Sequence, residues 1–127
     1  MRRYSTEDAN GLLAQILPVL QRLRIAVIEL RAIRAGATAE QRGSSADGAA
    51  LESARGDARV GELTSTIQDS VDRLEGWGVL LKDPERGLID FYHDRGGETV
   101  FLCYQLGEPN IGFWHRVADG FAGRKPL

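Results

Sequence analysis

The chain has 127 residues, 43% hydrophobic, 27% charged and 7% aromatic, which is one domain's worth of sequence and enough to bury a core without disulfides or a structural metal. The 16 basic and 18 acidic residues leave a net charge of −2, which argues against a dedicated nucleic-acid binder resting on clustered positive charge. A single cysteine excludes an internal disulfide framework and an all-thiolate zinc site, and it fits a reducing cytosol. Of the 15 glycines, nine lie from Gly76 onward, so the two ends of the chain are built differently.

The N-terminus carries Arg2 and Arg3 but then turns polar where a secretory signal needs an apolar stretch. Uninterrupted apolar runs such as Ile25-Ala26-Val27-Ile28 are only a few residues long, far short of the roughly 18 residues of a membrane span. The expectation is therefore a soluble, cytoplasmic protein. Ser5 followed by Asp8 resembles a capping box and places a helix start near Thr6. Leu13, Ile16, Leu20, Leu23, Val27 and Leu30 then recur at spacings of 3, 4, 3, 4, 3, the pattern of a helix packing along one seam. Pro18 removes the amide that would bond the Ala14 carbonyl, which predicts a kink rather than a break, because the periodicity continues in phase.

From Gly36 to Asp57 the pattern dissolves into Gly, Ala and Ser, which reads as a mobile loop. A second helix follows from about Ala58 to Gly76, with Val60, Leu63, Ile67, Leu74 and Trp77 on one seam, and Gly76 and Gly78 stop it. After Gly78 the period changes to that of strands: Val79 to Lys82, Leu88 to His93, Val100 to Gln105 and Ile111 to Arg116, with short connections. The whole reads as a single α+β domain over residues 1–127. Residues 1–78 form a long helical hairpin with a flexible loop at 36–57, and residues 79–127 form a four-stranded antiparallel meander and an irregular Gly-rich tail.

The segments Tyr4-Ser5-Thr6-Glu7-Asp8-Ala9-Asn10, Lys82-Asp83-Pro84-Glu85-Arg86-Gly87-Leu88-Ile89-Asp90-Phe91, Leu102-Cys103-Tyr104-Gln105-Leu106-Gly107-Glu108, and Ile111-Gly112-Phe113-Trp114-His115 through Gly120-Phe121-Ala122-Gly123-Arg124 resemble a small bacterial family of unknown function, DUF2203. Where that family often has a proline after the Asp-Phe pair and a tryptophan two places before Leu-Gly-Glu, this chain has Tyr92 and Tyr104. The resemblance supports the architecture and implies no activity.

The ionisable groups of the sheet half are Asp90, His93, Cys103, Glu108 and His115, with Arg86 and Arg124 nearby in sequence. These are the residue types of a mixed metal site, zinc for example, or of a thiol–imidazole pair. A two-residue turn at Gly96-Gly97 sets Asp90 opposite Cys103, and a four-residue turn keeps them on one face. A three- or five-residue loop between Gln105 and Ile111 brings His115 to the same face, whereas a four-residue loop sends it to the face of Leu102 and His93. The ordinary readings stand beside this one: Cys103 as a small buried hydrophobe, Asp90 in an ion pair with Arg86 or Arg124, His93 solvated, Glu108 exposed. Phe121 between glycines favours a tail that docks over the sheet and delivers Arg124 to an anion or to Asp90.

No phosphate loop, dinucleotide fingerprint, His-Glu-x-x-His or paired-cysteine motif is present. Two function classes follow. The first is a homodimeric scaffold or regulatory module, paired through the helices, whose sheet and tail bind a small molecule or protein. The second is a small enzyme or metal-binding protein with a site built from Asp90, Cys103 and His115 and supported by Arg86 and Arg124.

Overall fold

A computed structural model describes residues 2–40 and 46–127, with the side chains of 37–40 and 46–52 outside that description. Helix α1 spans Thr6–Glu40 and helix α2 spans Ala46–Gly76. The α1 start is the capped one expected, with the Asp8 amide donating to Ser5 Oγ at 3.0 Å, which satisfies one of the open amides of the first turn. Pro18 lies inside α1 without ending it, because the buried stripe on either side of it packs on the same partners.

The expected loop at 36–57 is corrected in part. Residues 36–40 and 46–57 are helical, since alanine, the strongest helix former, is their commonest residue, even where they lack an apolar stripe. Residues 41–45 of that loop lie outside the described residues.

The sheet has five strands in the order β1-β2-β3-β4-β5: Val79–Asp83, Leu88–Arg95, Glu98–Gln105, Phe113–Arg116 and Lys125–Pro126. All neighbouring strands pair antiparallel. The fifth strand, with a short 3-10 turn at Phe121–Gly123 before it, corrects the expectation of an irregular tail. The Leu127 amide bonds the Gly112 carbonyl at 3.0 Å and fixes the chain end. Register in the β2–β3 hairpin follows from Gly96 and Gly97, at φ of 61° and 85°. A tight turn with two left-handed residues is easy only for glycine, and it sets Arg95 against Glu98 and Asp90 against Cys103.

Both helices cover one face of this sheet. Ile89, Phe91, Val100, Leu102, Tyr104 and Trp114 pack there against Leu13, Ile16, Leu20, Leu23 and Val27 of α1 and Leu74 of α2. Farther along the hairpin, Ala26, Leu30 and Leu63 form a second cluster with Val60 and Ile67. Truncating a fully buried member such as Leu20 to alanine costs about 2–5 kcal/mol.

The N-terminal segment is tied in as well. The Tyr4 hydroxyl donates to the Trp77 carbonyl, the Tyr4 amide donates to the Tyr92 carbonyl at 2.8 Å, and burial pushes the Tyr4 phenol up from its ordinary range. His93 is therefore not solvated: its Nδ1 lies 2.7 Å from the Tyr4 carbonyl and the side chain is half-buried.

Candidate metal centre

Successive strand residues point to opposite faces, so the register that puts Phe91 and Leu102 under the helices puts Asp90 and Cys103 on the other face. The third strand resolves the open alternative. Cys103 pairs with Phe113 and Phe101 with His115, the register of the three- or five-residue loop and not of the four-residue one, and His115 joins the Cys103 face.

Asp90 and His115 belong to strands on either side of β3, and they meet over it. His115 Nε2 lies 3.0 Å from Asp90 Oδ2. The carboxylate oxygen of Asp90, the Cys103 sulfur and a His115 ring nitrogen all fall within 4.8 Å of one another. The three residues are 2%, 1% and 3% exposed, although α1 and α2 pack on the opposite face.

The proton inventory follows from the partners. His115 Nδ1 faces the Arg116 carbonyl at 2.8 Å, and a carbonyl only accepts, so Nδ1 carries a hydrogen. The Nε2 contact with Asp90 then needs one further proton, held by either the ring or the carboxyl group. A histidine whose Nδ1–H is tied to a backbone carbonyl and whose Nε2 is turned toward acidic donors is oriented as metal-ligating histidines are. Asp90 Oδ1 is buried without a partner of ordinary hydrogen-bond geometry, a costly arrangement for a carboxylate. Its neighbour Cys103 has its thiol pushed up to about 12, first by burial and then by the charge and hydrogen bonding of Asp90.

The expected ion pair of Asp90 with Arg86 or Arg124 does not form; histidine takes its place. Arg124 Nη2 instead binds both oxygens of Glu108, at 2.6 and 2.8 Å. Glu108 is half-buried rather than exposed, and its Oε1 also accepts from the Gln105 amide at 2.6 Å.

The arginines do stand beside the site, in a stack. The Arg124 guanidinium lies 4.0 Å from the ring centre of Phe113 and 4.6 Å from that of Phe121. The Arg86 guanidinium lies 4.3 Å from the Phe121 ring, and its Nη2 donates to Gln105 Oε1 at 3.3 Å. Arg124 also reaches the Cys103 carbonyl at 3.5 Å. The tail thus docks beside the three acidic and imidazole groups, as Phe121 between glycines implied.

Phe101 was missed as a member of the site. Its ring packs on His115 at 5.4 Å and on Tyr92 at 5.1 Å, with Lys82 Nζ over it at 4.8 Å. The signal was available, since Phe101 and Cys103 share a face by alternation. Two surface clefts of about 420 and 430 Å³ lie elsewhere and include none of the three central residues.

A hairpin-backed antiparallel sheet that buries an aspartate, a cysteine and a histidine together on the face opposite α1 and α2 defines a small α+β protein with a carboxylate, a thiol and an imidazole gathered in one place. The chain belongs to the family described as "Uncharacterized conserved protein (DUF2203)", whose model matches residues 2–127, essentially its whole length. No curated protein and no solved structure matches it.

Proposed function

We propose that this chain is a small metal-binding protein that holds one transition-metal ion of the zinc type through Asp90, Cys103 and His115. The observation that carries the reading is the convergence of the three donor atoms within 4.8 Å on buried side chains. In a tetrahedral zinc site with bonds of 2.0–2.3 Å the donors stand roughly 3.3–3.6 Å apart, so binding asks the widest separation to close by about 1 Å and the 3.0 Å contact of His115 with Asp90 to open slightly. The mix of thiolate, imidazole and carboxylate suits a borderline ion. Three protein donors leave a fourth position for water or a ligand, the composition of zinc sites that do chemistry.

This reading absorbs the sheet-and-tail ligand module into one place, because the tail's Arg124 lies on the ring of the neighbouring Phe113 and on that of Phe121. A single free thiol used as a ligand fits a reducing, cytoplasmic setting.

The test is elemental analysis of tag-free protein purified without chelator, then reloaded with zinc and desalted. We expect about one metal per chain, lost in both Cys103→Ser and His115→Ala. Titration with Co²⁺ adds a thiolate-to-metal absorption band that Cys103→Ser abolishes. Folded wild-type protein that retains no zinc, cobalt, iron, copper or nickel after loading overturns the reading.

A further inference from the structure

The edge strand β1 breaks register between Leu81 and Asp83, and Lys82 is the extra residue of that bulge. A bulge re-aims a side chain, and this one turns Lys82 across the face that holds the candidate metal centre. Leu80, Asp90, Cys103 and Phe113 form one row across that face, and Tyr92, Phe101 and His115 form the next. Lys82 starts a row before Leu80, yet its Nζ lies 4.8 Å from the ring centre of Phe101, which stands in the far row on β3. The diagonal from one to the other passes above Asp90. The lysine stem therefore helps to cover a carboxylate that is 2% exposed.

The ammonium is not placed there to pair. Among the described residues it has no acidic partner, and it rests on the Phe101 ring. Asp83 beside it accepts from the turn amides of Glu85 and Arg86 at 3.1 and 3.2 Å. Asp94, on the same face, lies exposed at the hairpin end, beyond Tyr92 and away from Lys82. On the other flank Arg124 is matched by Glu108, whereas Arg86 has the amide of Gln105 and the Phe121 ring. Exchange of about two protons for a dication leaves the charge of the donor set unchanged, so the positive excess at its border remains with a metal in place.

We propose, resting on the metal-binding reading above, that the open position of the metal takes the carboxylate of a small organic acid and that Lys82 swings off Phe101 to hold it. One unpaired ammonium matches a monoanion. Its contact with a ring at an exposed position is a weak tether, and a lysine stem is flexible, so the cover lifts at little cost. The border of the site favours an organic acid over an inorganic anion. Leu80, Tyr92 and Phe113 are half-buried around the two rows, and ligand sites join such apolar walls to a few placed polar groups.

The test uses Co²⁺-loaded protein, with benzoate, acetate and inorganic phosphate as probes. Benzoate shifts the Co²⁺ absorption bands with a dissociation constant in the millimolar range, as suits a ligand of this size, acetate acts more weakly, and phosphate acts least. Lys82→Met keeps the apolar stem and all three metal donors. It holds the same metal content as wild type and the same benzoate-free spectrum, and it binds benzoate roughly tenfold more weakly or worse. Lys82→Arg, which keeps the charge, restores much of that affinity. Loaded wild type whose spectrum ignores benzoate overturns this inference and leaves the metal reading standing, whereas protein that retains no metal overturns both. Equal benzoate affinity in wild type and Lys82→Met overturns the role of Lys82. Phosphate bound more tightly than benzoate overturns the choice of an organic acid.

Discussion

His115 Nε2 and Asp90 Oδ2 stand 3.0 Å apart across the central strand, joined by one proton, while His115 Nδ1 is committed to the Arg116 carbonyl. This arrangement makes the site a proton store as well as a donor set. In the proposed metal site a cation would displace two protons: the one shared between imidazole and carboxylate, and the thiol proton that burial and Asp90 hold on Cys103.

On the proposed reading, zinc binding should release about two protons per metal at neutral pH. Calorimetric titration in buffers of differing ionisation enthalpy measures this number directly. The Cys103→Ser variant should lower it to about one in whatever residual binding remains, because the hydroxyl keeps its proton. Release of no protons by wild type would mean that the ion sits elsewhere on the chain.

The same pair makes a stability prediction of opposite sign for one change and for two. His115→Ala leaves the buried Asp90 carboxylate without its imidazole partner, and removal of one member of a buried pair costs about 3–5 kcal/mol. Replacing both members, as Asp90→Leu with His115→Leu, removes the uncompensated polar groups and fills the space with apolar ones. The metal-free double variant should match or exceed wild type in urea or thermal unfolding while binding no metal. A double variant as unstable as the single one would mean that the pair holds the sheet together, and would weaken the case that it is kept for a ligand.

Much of this was legible in the residues. The α1 seam, the Ser5 cap, the turn at Gly96-Gly97 and the facing of Asp90 and Cys103 all follow from local rules, since each depends on neighbours within a turn or a hairpin. His115 was legible only as two alternatives, because the loop from Leu106 to Asn110 contains no glycine pair that dictates its length. That loop is set by long-range bonds instead: Ile111 donates to Asn10 Oδ1 at 2.8 Å, over a hundred residues away in sequence. The same limit explains Asp90. Its partner could be sought only among charges nearby in sequence, whereas the fold supplied a histidine from two strands away.

The docked tail yields the last prediction. Cys103 is 1% exposed, and its thiol is pushed up to about 12, so at pH 8 only about one molecule in ten thousand carries a thiolate, against roughly a quarter for an ordinary cysteine. Because the folded thiol stays protonated above its unfolded value, its contribution to stability is present at neutral pH and is lost as pH rises through the folded value. Reaction of the metal-free protein with a thiol reagent at pH 8 should be slow in wild type. Arg124→Ala removes the guanidinium that lies on Phe113 and Phe121 and that holds the Cys103 carbonyl and Glu108, and it leaves the half-buried Glu108 carboxylate without its cation. The tail from Ala118 to Leu127 should then exchange its amide hydrogens faster, and the thiol should react at least tenfold faster, which corresponds to about 1.4 kcal/mol less protection. Arg86→Ala, which loses one outer layer of the stack and no bond to the Cys103 strand's backbone, should change the rate less. Equal rates for wild type and Arg124→Ala, with the tail's exchange accelerated, would show that the strand residues alone shield Cys103 and that access to the site does not pass under the tail.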